Sequence, residues 1–480
     1  MKKDLINLVE FLNKKIMKLC DANEFSKYRS YYGESFALAS LHLSNNLTSP
    51  TKKYLKNQFE NLDQLDPEFH FEFNNYALLT NGLEQELTNL SRPLKFKGTT
   101  CTNWTLLRER VKLELDEGFN LNNVITKIEN FQLDSGLILD DLGVKSFQYH
   151  CFSMAMIGEM SLKLENDFLR ESFRKGVEFI VNFMSPTGET LFVGRGQNQS
   201  FGYSALVYIL ALSSKVLKSN YYDHIDRIVS LLNKEISSFD DLPLMLNQRL
   251  EKPYLMDKLD PAFYGWYPYN NYIDYFCFSS FFLTKALKTI SESGMKVELF
   301  ADNYKDKDFW LVQNKKYFSL LSRPGGYWTN DLPFPFIQSK GMNITGLYGG
   351  EQFQDSLYHM GETPLPINKL FNTSIRKKCK SYFKENVLHV LSPLGILKRE
   401  FDFLEDRITI QSNSFPSFLF KTPYFFKKEF QLVSKNTLRF EHVEITCSKE
   451  FRESGVSHTA SGQSVKYLVE GNHLMEIRFL

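Results

Sequence analysis

The spacing of apolar residues changes near residue 300, and this change constrains the fold of the 480-residue chain more than any other feature. Before it, apolar residues recur at helical spacing in successive blocks, as in 167–184, where Phe173, Val177 and Ile180 share one face. Beyond about residue 308, apolar and polar residues alternate, as in 406–412, 437–446, 464–469 and 473–480. Helices followed by strands predict two segregated layers or domains rather than a doubly wound sheet.

We therefore expect an α+β protein with two domains, a helical one over 1–300 and an antiparallel β domain over 301–480. The boundary falls within 295–310, after the turn at Ser293 and Gly294. A prior of roughly 150 residues per domain would suggest about three domains, but large helical toroids exceed that prior. No flexible linker separates the two parts, which predicts that they pack closely.

Charge and cysteine content narrow the class of protein. The formal net charge is +1, from 57 basic and 56 acidic side chains, so no global field indicates a nucleic acid as partner. The six cysteines lack metal-ligand spacing and indicate reduced thiols, and we expect neither a metal nor another cofactor.

The N-terminal segment does not resemble an export signal, because Asp4 and Glu10 interrupt any apolar signal-peptide core. No stretch of about 18 uncharged apolar residues, the length that a membrane span needs, occurs in the chain. We expect a cytoplasmic protein without a transmembrane segment, unless export follows a non-standard route or a signal has been removed; the oligomeric state stays open.

Two segments that lead from a loop into a helix carry the main candidate site. The first, 134–160, places Tyr149 and His150 at the start of an apolar helix. The second, 194–206, repeats this arrangement with Arg195, Gln197, Asn198 and Tyr203. Two such loop-to-helix segments predict a carbohydrate site at one end of a helical barrel.

Aromatic residues supply further candidates, because the chain holds 43 Phe, 24 Tyr and 4 Trp, and flat rings can stack on sugars. The densest stretch, 264–275, interleaves rings with amides and contains Trp266, Tyr267, Tyr269, Asn270 and Asn271. Outside it, Asn103, Trp104 and His359 are additional candidates for binding substrate. The alternative for each is structural: a packed connection, a core ring or an interdomain histidine.

Several stretches resemble polysaccharide lyases of the heparinase II/III and alginate-lyase type. They are T-N-W-T-L-L at 102–107, the segment D-S-G-L-I-L-D-D…Y-H-C-F-S-M, and G-R-G-Q-N-Q-S-F-G-Y-S-A from 194. The segments 317–331 and 346–351 resemble the start of the β-sandwich of such lyases. The resemblance implies an incomplete (α/α) toroid, an antiparallel β-sandwich and a cleft between them that binds an acidic glycan.

Lyases of this kind cleave a uronic-acid polysaccharide by β-elimination. The reaction needs a group that neutralises the substrate carboxylate, a base for the C5 proton and an acid for the leaving oxygen. The residues predicted to do this are Tyr149, His150, Arg195, Asn198 and Tyr203, with His150 neutralising charge or acting as base and Arg195 clamping a carboxylate. The structural alternatives are a helix-capping pair for Tyr149 and His150, an ordinary turn around Arg195 and a core position for Tyr203.

Two rival functions stay open. A glycoside hydrolase on the same toroid, similar to unsaturated glucuronyl hydrolases, would use paired carboxylates drawn from Asp140, Asp141 and Asp274. A non-catalytic glycan-binding or assembly protein would keep the aromatic residues without a working base. The sequence contains no H-E-x-x-H, G-x-S-x-G or G-x-G-x-x-G motif, which disfavours zinc proteases, serine hydrolases and dinucleotide enzymes.

Overall fold

A computed structural model describes residues 2–25, 30, 32–61, 71–83, 100–194, 196–246, 272–291, 293–298, 303–325, 331–347, 363–376 and 378–480. The chain divides into two compact units. The helical unit comprises 1–191 and 198–299, and the β unit comprises 192–197 and 300–480. Helices precede antiparallel sheets, so the fold class expected from the sequence is confirmed.

The described part of the helical unit contains eleven helices. They are α1 (Lys2–Asp21), α2 (Gly33–Leu43), α3 (Ser49–Asn61), α4 (Phe71–Leu79), α5 (Thr102–Leu115), α6 (Leu121–Phe131), α7 (Phe147–Leu164), α8 (Asp167–Val181), α9 (Ser200–Val216), α10 (Tyr222–Phe239) and α11 (Tyr272–Thr289). A short parallel pair, β1 (Ser219–Asn220) with β2 (Met295–Lys296), belongs to the same unit. Over the described ranges, none of these helices combines the length and apolar character that a bilayer crossing requires.

Six of the helices form a closed ring. In order around it, α2, α4, α5, α7, α9 and α11 each contact the next, and α11 returns to α2. The other five, α1, α3, α6, α8 and α10, pack against members of this ring. Within the described ranges the outer layer thus has one helix fewer than the inner layer. This is the layered arrangement of an (α/α) toroid.

Sequence pattern decides which layer a helix occupies. Nearly every residue of α9 is buried, as expected for a helix surrounded by others. In α8, by contrast, Phe173 and Ile180 are buried whereas Arg170, Glu171 and Arg174 form exposed ion pairs with neighbours on the same helix. The amphipathic helices therefore lie outside, and the evenly apolar ones form the ring.

Gly33 marks a close approach between α2 and α11. A Cβ atom added to Gly33 would lie 2.5 Å from Cγ2 of Ile273 and 3.1 Å from its backbone carbonyl carbon. We expect Gly33→Ala to lower the free energy of unfolding of the helical unit by about 1–3 kcal/mol, because the two helices must move apart. Urea denaturation followed by helical circular dichroism measures this. Gly325→Ala, at a position with open space, is the matched control; equal stability of the two variants would refute the packing argument.

The β unit contains eighteen strands among its described residues. They are β3 (Tyr304–Lys305), β4 (Phe309–Gln313), β5 (Phe318–Ser322), β6 (Phe336–Ser339), β7 (Met342–Asn343), β8 (Ile367–Asn368), β9 (Thr373–Ser374), β10 (Lys380–Lys384), β11 (Val387–Ser392), β12 (Gly395–Phe403), β13 (Arg407–Phe415), β14 (Phe420–Lys427), β15 (Gln431–Ser434), β16 (Thr437–Phe440), β17 (Val443–Cys447), β18 (Arg452–Thr459), β19 (Gly462–Glu470) and β20 (His473–Phe479).

These strands form three antiparallel sheets. The largest has the order β10-β11-β12-β13-β20-β17-β16-β15, and two five-stranded sheets have the orders β18-β19-β14-β8-β9 and β3-β4-β5-β6-β7. One apolar core joins all three, with Ile408 and Ile410 from β13, Tyr424 from β14 and Leu321 from β5. Thr409, which lies between Ile408 and Ile410, points to the other face, which matches the predicted period of two.

Candidate active site

The first turns of the ring helices meet at one end of the helical unit, which we call the mouth. It is defined by six aromatic residues near the helix starts: Tyr32, Phe73, Trp104, Tyr149, Phe201 and Tyr275. The rings of Tyr32 and Phe73 stack with centroids 4.7 Å apart, and Phe73 meets Trp104 edge-on at 5.0 Å. These contacts connect α2, α4 and α5 at their N-terminal ends.

The other half of the mouth is built in the same way. Phe201 and Tyr275 stack at 4.4 Å with nearly parallel planes, and Tyr149 lies edge-on to Phe201 at 6.3 Å. A carboxylate oxygen of Asp274 accepts hydrogen bonds from the backbone N–H groups of Tyr32 at 3.0 Å and Gly33 at 2.7 Å. The contact closes the ring between α11 and α2, so all six helices present their N-terminal ends at the mouth.

Four of the six mouth residues keep part of their surface accessible. Tyr32, Phe73, Trp104 and Tyr149 are half-buried, whereas Phe201 and Tyr275 are buried beneath them. Half-buried aromatic side chains around one opening suit the stacking of sugar rings. The N-terminal ends of helices carry partial positive charge, which favours an anionic ligand.

Tyr149 is the predicted proton-transfer residue that the structure places at this opening. It lies in the first turn of α7, where the hydroxyl of Ser146 accepts a hydrogen bond from its backbone N–H at 3.3 Å. This N-cap fixes the start of the helix and so the position of the phenol.

His150 has a structural position that corrects the role predicted for it. Its side chain is fully buried; Nδ1 accepts from the backbone N–H of Ile138 at 3.0 Å, and Nε2 donates to the carbonyl of Gly176 at 2.9 Å. Burial lowers the pKa of the imidazole to about 4, and only the Gly176 hydrogen bond opposes this. A neutral ring with both nitrogens engaged is not placed to neutralise a substrate carboxylate or to take its proton. It instead anchors the 132–146 loop to α7 and α8.

Tyr203 is likewise buried rather than exposed to a ligand. Its hydroxyl accepts from the backbone N–H groups of Thr190 at 3.0 Å and Leu191 at 3.3 Å and donates to Oδ1 of Asn198 at 2.8 Å. Burial is the main reason that the pKa of Tyr203 lies well above its ordinary value. The structure therefore corrects the predicted proton-transfer role of Tyr203. Asn198, predicted as a catalytic residue, instead accepts the hydrogen bond that fixes the Tyr203 hydroxyl against the backbone of Thr190 and Leu191.

Two predicted binding residues are also turned inward. Asn103 is buried, and its Oδ1 accepts from the backbone N–H of Trp104 at 2.8 Å. Gln197 is buried, belongs to the β unit and donates to the carbonyl of Phe192. The remaining predicted site residues lie outside the described residues: Arg195, Trp266, Tyr267, Tyr269, Asn270, Asn271 and His359.

The carboxylates of the rival hydrolase have local partners. Asp274 is buried and caps α2, as described above. Asp141 accepts from the hydroxyl of Thr100 at 2.7 Å and from the backbone N–H of Leu142 at 2.7 Å. Asp140 is buried, with its backbone bonded to Val144 and Thr102. Asp274 therefore caps a helix, and Asp141 stabilises a turn. These structural roles explain the position of both carboxylates without a catalytic function.

Sequence reasoning did not name four of the six mouth residues, Tyr32, Phe73, Phe201 and Tyr275, and it also missed a charged pair on α4 and α5. Arg108 lies one helical turn after Trp104 on α5 and pairs with Glu72 of α4, with Nε and Oε1 3.7 Å apart. Burial is the main cause that raises the pKa of Glu72 and lowers that of Arg108. The spacing of four residues between Trp104 and Arg108 was a signal that could have found the arginine. Tyr275 ends the aromatic stretch 264–275, but nothing local in the sequence marks Tyr32 or Phe73, because their neighbours come from distant segments.

A second charged cluster lies deeper in the ring. Oε1 of Glu159 accepts from the hydroxyls of Tyr76 and Tyr208, each at 2.8 Å, and from the ammonium of Lys285. Its Oε2 accepts from Nε of Arg110 at 2.9 Å. Glu159 follows Tyr149 by ten positions on α7, about 15 Å along the helix, so this cluster is separate from the mouth.

Comparisons with known proteins concern the fold. No protein-family model matches the chain, and no curated protein matches it. Among solved structures, a chondroitin AC lyase from Streptomyces coelicolor A3, in complex with chondroitin sulphate, is 8% identical, with 99% of this chain aligned to 79% of that one at a TM-score of 0.49. A heparinase III is 12% identical, with 93% of this chain aligned to 77% of that one at a TM-score of 0.34. An unsaturated glucuronyl hydrolase from Bacillus sp. GL1 is 10% identical, with 60% of this chain aligned to 96% of that one at a TM-score of 0.39.

Over the described ranges, no group of three or more His, Cys, Asp or Glu side chains is arranged to hold a metal ion.

Proposed function

We propose that this protein is a lyase that cleaves an acidic, uronic-acid-containing polysaccharide or oligosaccharide by β-elimination at the mouth. The observation that supports this most is the set of half-buried aromatic side chains around the opening, with Tyr149 among them. Stacking on Trp104 or Phe73 would hold a sugar ring, and the six helix starts would attract its carboxylate.

The proposed reaction assigns proton transfer to Tyr149. A base removes the proton on C5 of the uronic acid, the bond between C4 and the leaving oxygen breaks, and a double bond forms between C4 and C5. Tyr149 in its phenolate form is this base, and the phenol that results gives the proton to the leaving oxygen. Neutralisation of the carboxylate needs a cation: among the described residues Arg108, one helical turn after Trp104, is the candidate, and Arg195 stays the candidate predicted from the sequence.

The experiment incubates the full chain with a panel of uronic-acid polysaccharides and oligosaccharides and records ultraviolet absorbance of the unsaturated product. A lyase produces this absorbance without consuming water. New reducing ends without absorbance would indicate a hydrolase, and binding without either product would indicate a glycan-binding protein. Both of these results would overturn the proposal.

Tyr149→Phe should reduce turnover by about 10²–10⁴-fold, because it removes the proton-transfer group and keeps the ring. The measurement is the initial rate of unsaturated product, with circular dichroism to confirm that the variant is folded. Tyr382→Phe, at an exposed tyrosine on β10, is the matched control and should keep the full rate. A Tyr149→Phe enzyme with an unchanged rate would remove Tyr149 from the mechanism.

A further inference from the structure

The β unit exposes an unusually large apolar surface at one end, which we call the apolar cap. It consists of Leu370, Phe371, Phe415 and Phe418, whose side chains are 70%, 66%, 73% and 73% exposed. Aromatic side chains present about 150–250 Å² each, so the cap offers on the order of 500 Å² of apolar area. Soluble monomers rarely expose contiguous patches beyond a few hundred Å² unless the patch binds something.

The backbone brings these four residues together. The turn that carries Leu370 and Phe371 lies beside the 3₁₀ turn of Phe418, because the backbone N–H of Lys369 donates to the carbonyl of Leu419 at 2.8 Å. Phe415 ends β13 directly before that 3₁₀ turn. The cap is thus two neighbouring turns and a strand end rather than a groove.

The apolar surface continues onto the outer face of the eight-stranded sheet. Phe415 is paired with Ile396, which is paired with Leu391, and these last two are 37% and 39% exposed. The same row ends at Lys380 of β10, which is paired with Leu391. An apolar row therefore ends in a cation at the sheet edge.

Among the described residues, cations outnumber carboxylates beside the cap. Glu470 forms an ion pair with Lys369, with Nζ and Oε2 2.6 Å apart, and Lys421 is paired with Glu470 in the neighbouring strand. Arg452 adds a further positive charge to the surroundings of Glu470. One carboxylate thus faces three cations, although the chain as a whole is nearly neutral.

We propose that the apolar cap inserts into an anionic lipid surface. Phe and Leu side chains at the tips of turns suit burial below lipid headgroups, and the flexible stems of Lys369, Lys380 and Lys421 let their ammonium groups reach anionic headgroups. A second copy of the chain fits less well, because a symmetric contact would bring two cationic rims together. This attachment is independent of the proposed lyase activity.

The test is co-sedimentation of the full chain with vesicles of phosphatidylglycerol and phosphatidylcholine, compared with phosphatidylcholine alone. We expect binding to the anionic vesicles, falling at least about tenfold in the double variant Phe371→Glu/Phe418→Glu and declining with added salt. Met295→Glu, at a residue of the helical unit that is 74% exposed, is the matched control and should bind as the parent does.

Three results would overturn the proposal: no binding to anionic vesicles, equal binding by the double variant, or a concentration-dependent dimer that the double variant abolishes while vesicles stay unbound. Circular dichroism of the double variant establishes that it is folded. Fluorescent labelling at Phe418→Cys gives an independent readout, since a dye inside the lipid layer shifts its emission to the blue, and an unshifted dye would contradict insertion.

Discussion

Replacing Glu159 with glutamine should lower the free energy of unfolding of the helical unit by about 3–5 kcal/mol, one of the two largest effects on stability that we expect. The change keeps the shape of the side chain but leaves Lys285 and Arg110 buried without their shared carboxylate. Urea denaturation followed by helical circular dichroism measures the loss. Glu171→Gln removes a carboxylate from an exposed pair with Arg174 and should cost less than about 1 kcal/mol.

The pKa of Glu159 also predicts how the free energy of unfolding depends on pH. Burial by itself would raise the pKa of Glu159, but Lys285 and Arg110 outweigh it and hold the pKa at about 2, below the ordinary 4.5. Because the folded form has the lower pKa, the contribution of Glu159 is complete above pH 4.5 and is lost as the pH falls toward 2. Glu159→Gln should flatten the stability curve in that window. A variant as acid-sensitive as the parent would refute the assignment.

Replacing His150 with alanine should cost about 3–5 kcal/mol of unfolding free energy, the second of the two large effects. The variant leaves the backbone N–H of Ile138 and the carbonyl of Gly176 without their buried partner and opens a cavity beneath the 132–146 loop. Thermal unfolding measures the loss. His42→Ala, at an exposed position of α2, is the control and should change stability little.

The titration of His150 adds a second test. Its pKa of about 4 in the folded chain lies below the ordinary 6.5, so its contribution is complete above pH 6.5 and is lost as the pH falls through 4. The alanine variant should lose less stability than the parent between these values. Were His150 instead the catalytic base, His150→Ala would remain as stable as the parent and lose only turnover.

Much of the fold was predictable because it depends on periodicity. The change from helical spacing to alternation separates the helices from the sheets, and in α8 the pattern identifies the buried face as well as the exposed one. The segment 192–197 was not predictable, because it belongs to the β unit while lying between two helices of the other unit. No local pattern reports which unit a six-residue loop joins.

The candidate site was predicted only in part, for a different physical reason. Tyr149 and Trp104 were chosen as candidates from local motifs, and both are half-buried at the mouth. His150 lies in the same motif as Tyr149, and Tyr203 lies in the second loop-to-helix segment, yet the tertiary fold buries both completely. Sequence spacing places adjacent helical residues about 100° apart, but it does not say which of the two faces the opening. The partners of Trp104 at the mouth come from other helices, and only the folded chain reveals them.

Residues 192–197 belong to the β unit although they lie, in sequence, between two segments of the helical unit. This limits how one unit can be exchanged without the other. The backbone passes from one unit to the other at 191/192, returns at 197/198 and passes again at 299/300. Phe192 is fully buried, with its ring 4.5 Å from that of Phe336 and 5.7 Å from that of Phe318. A chain shortened to its first 299 residues would keep this phenylalanine and lose both partners. Exchange of the helical unit alone, with residues 192–197 included, would therefore replace a buried side chain of the β unit as well.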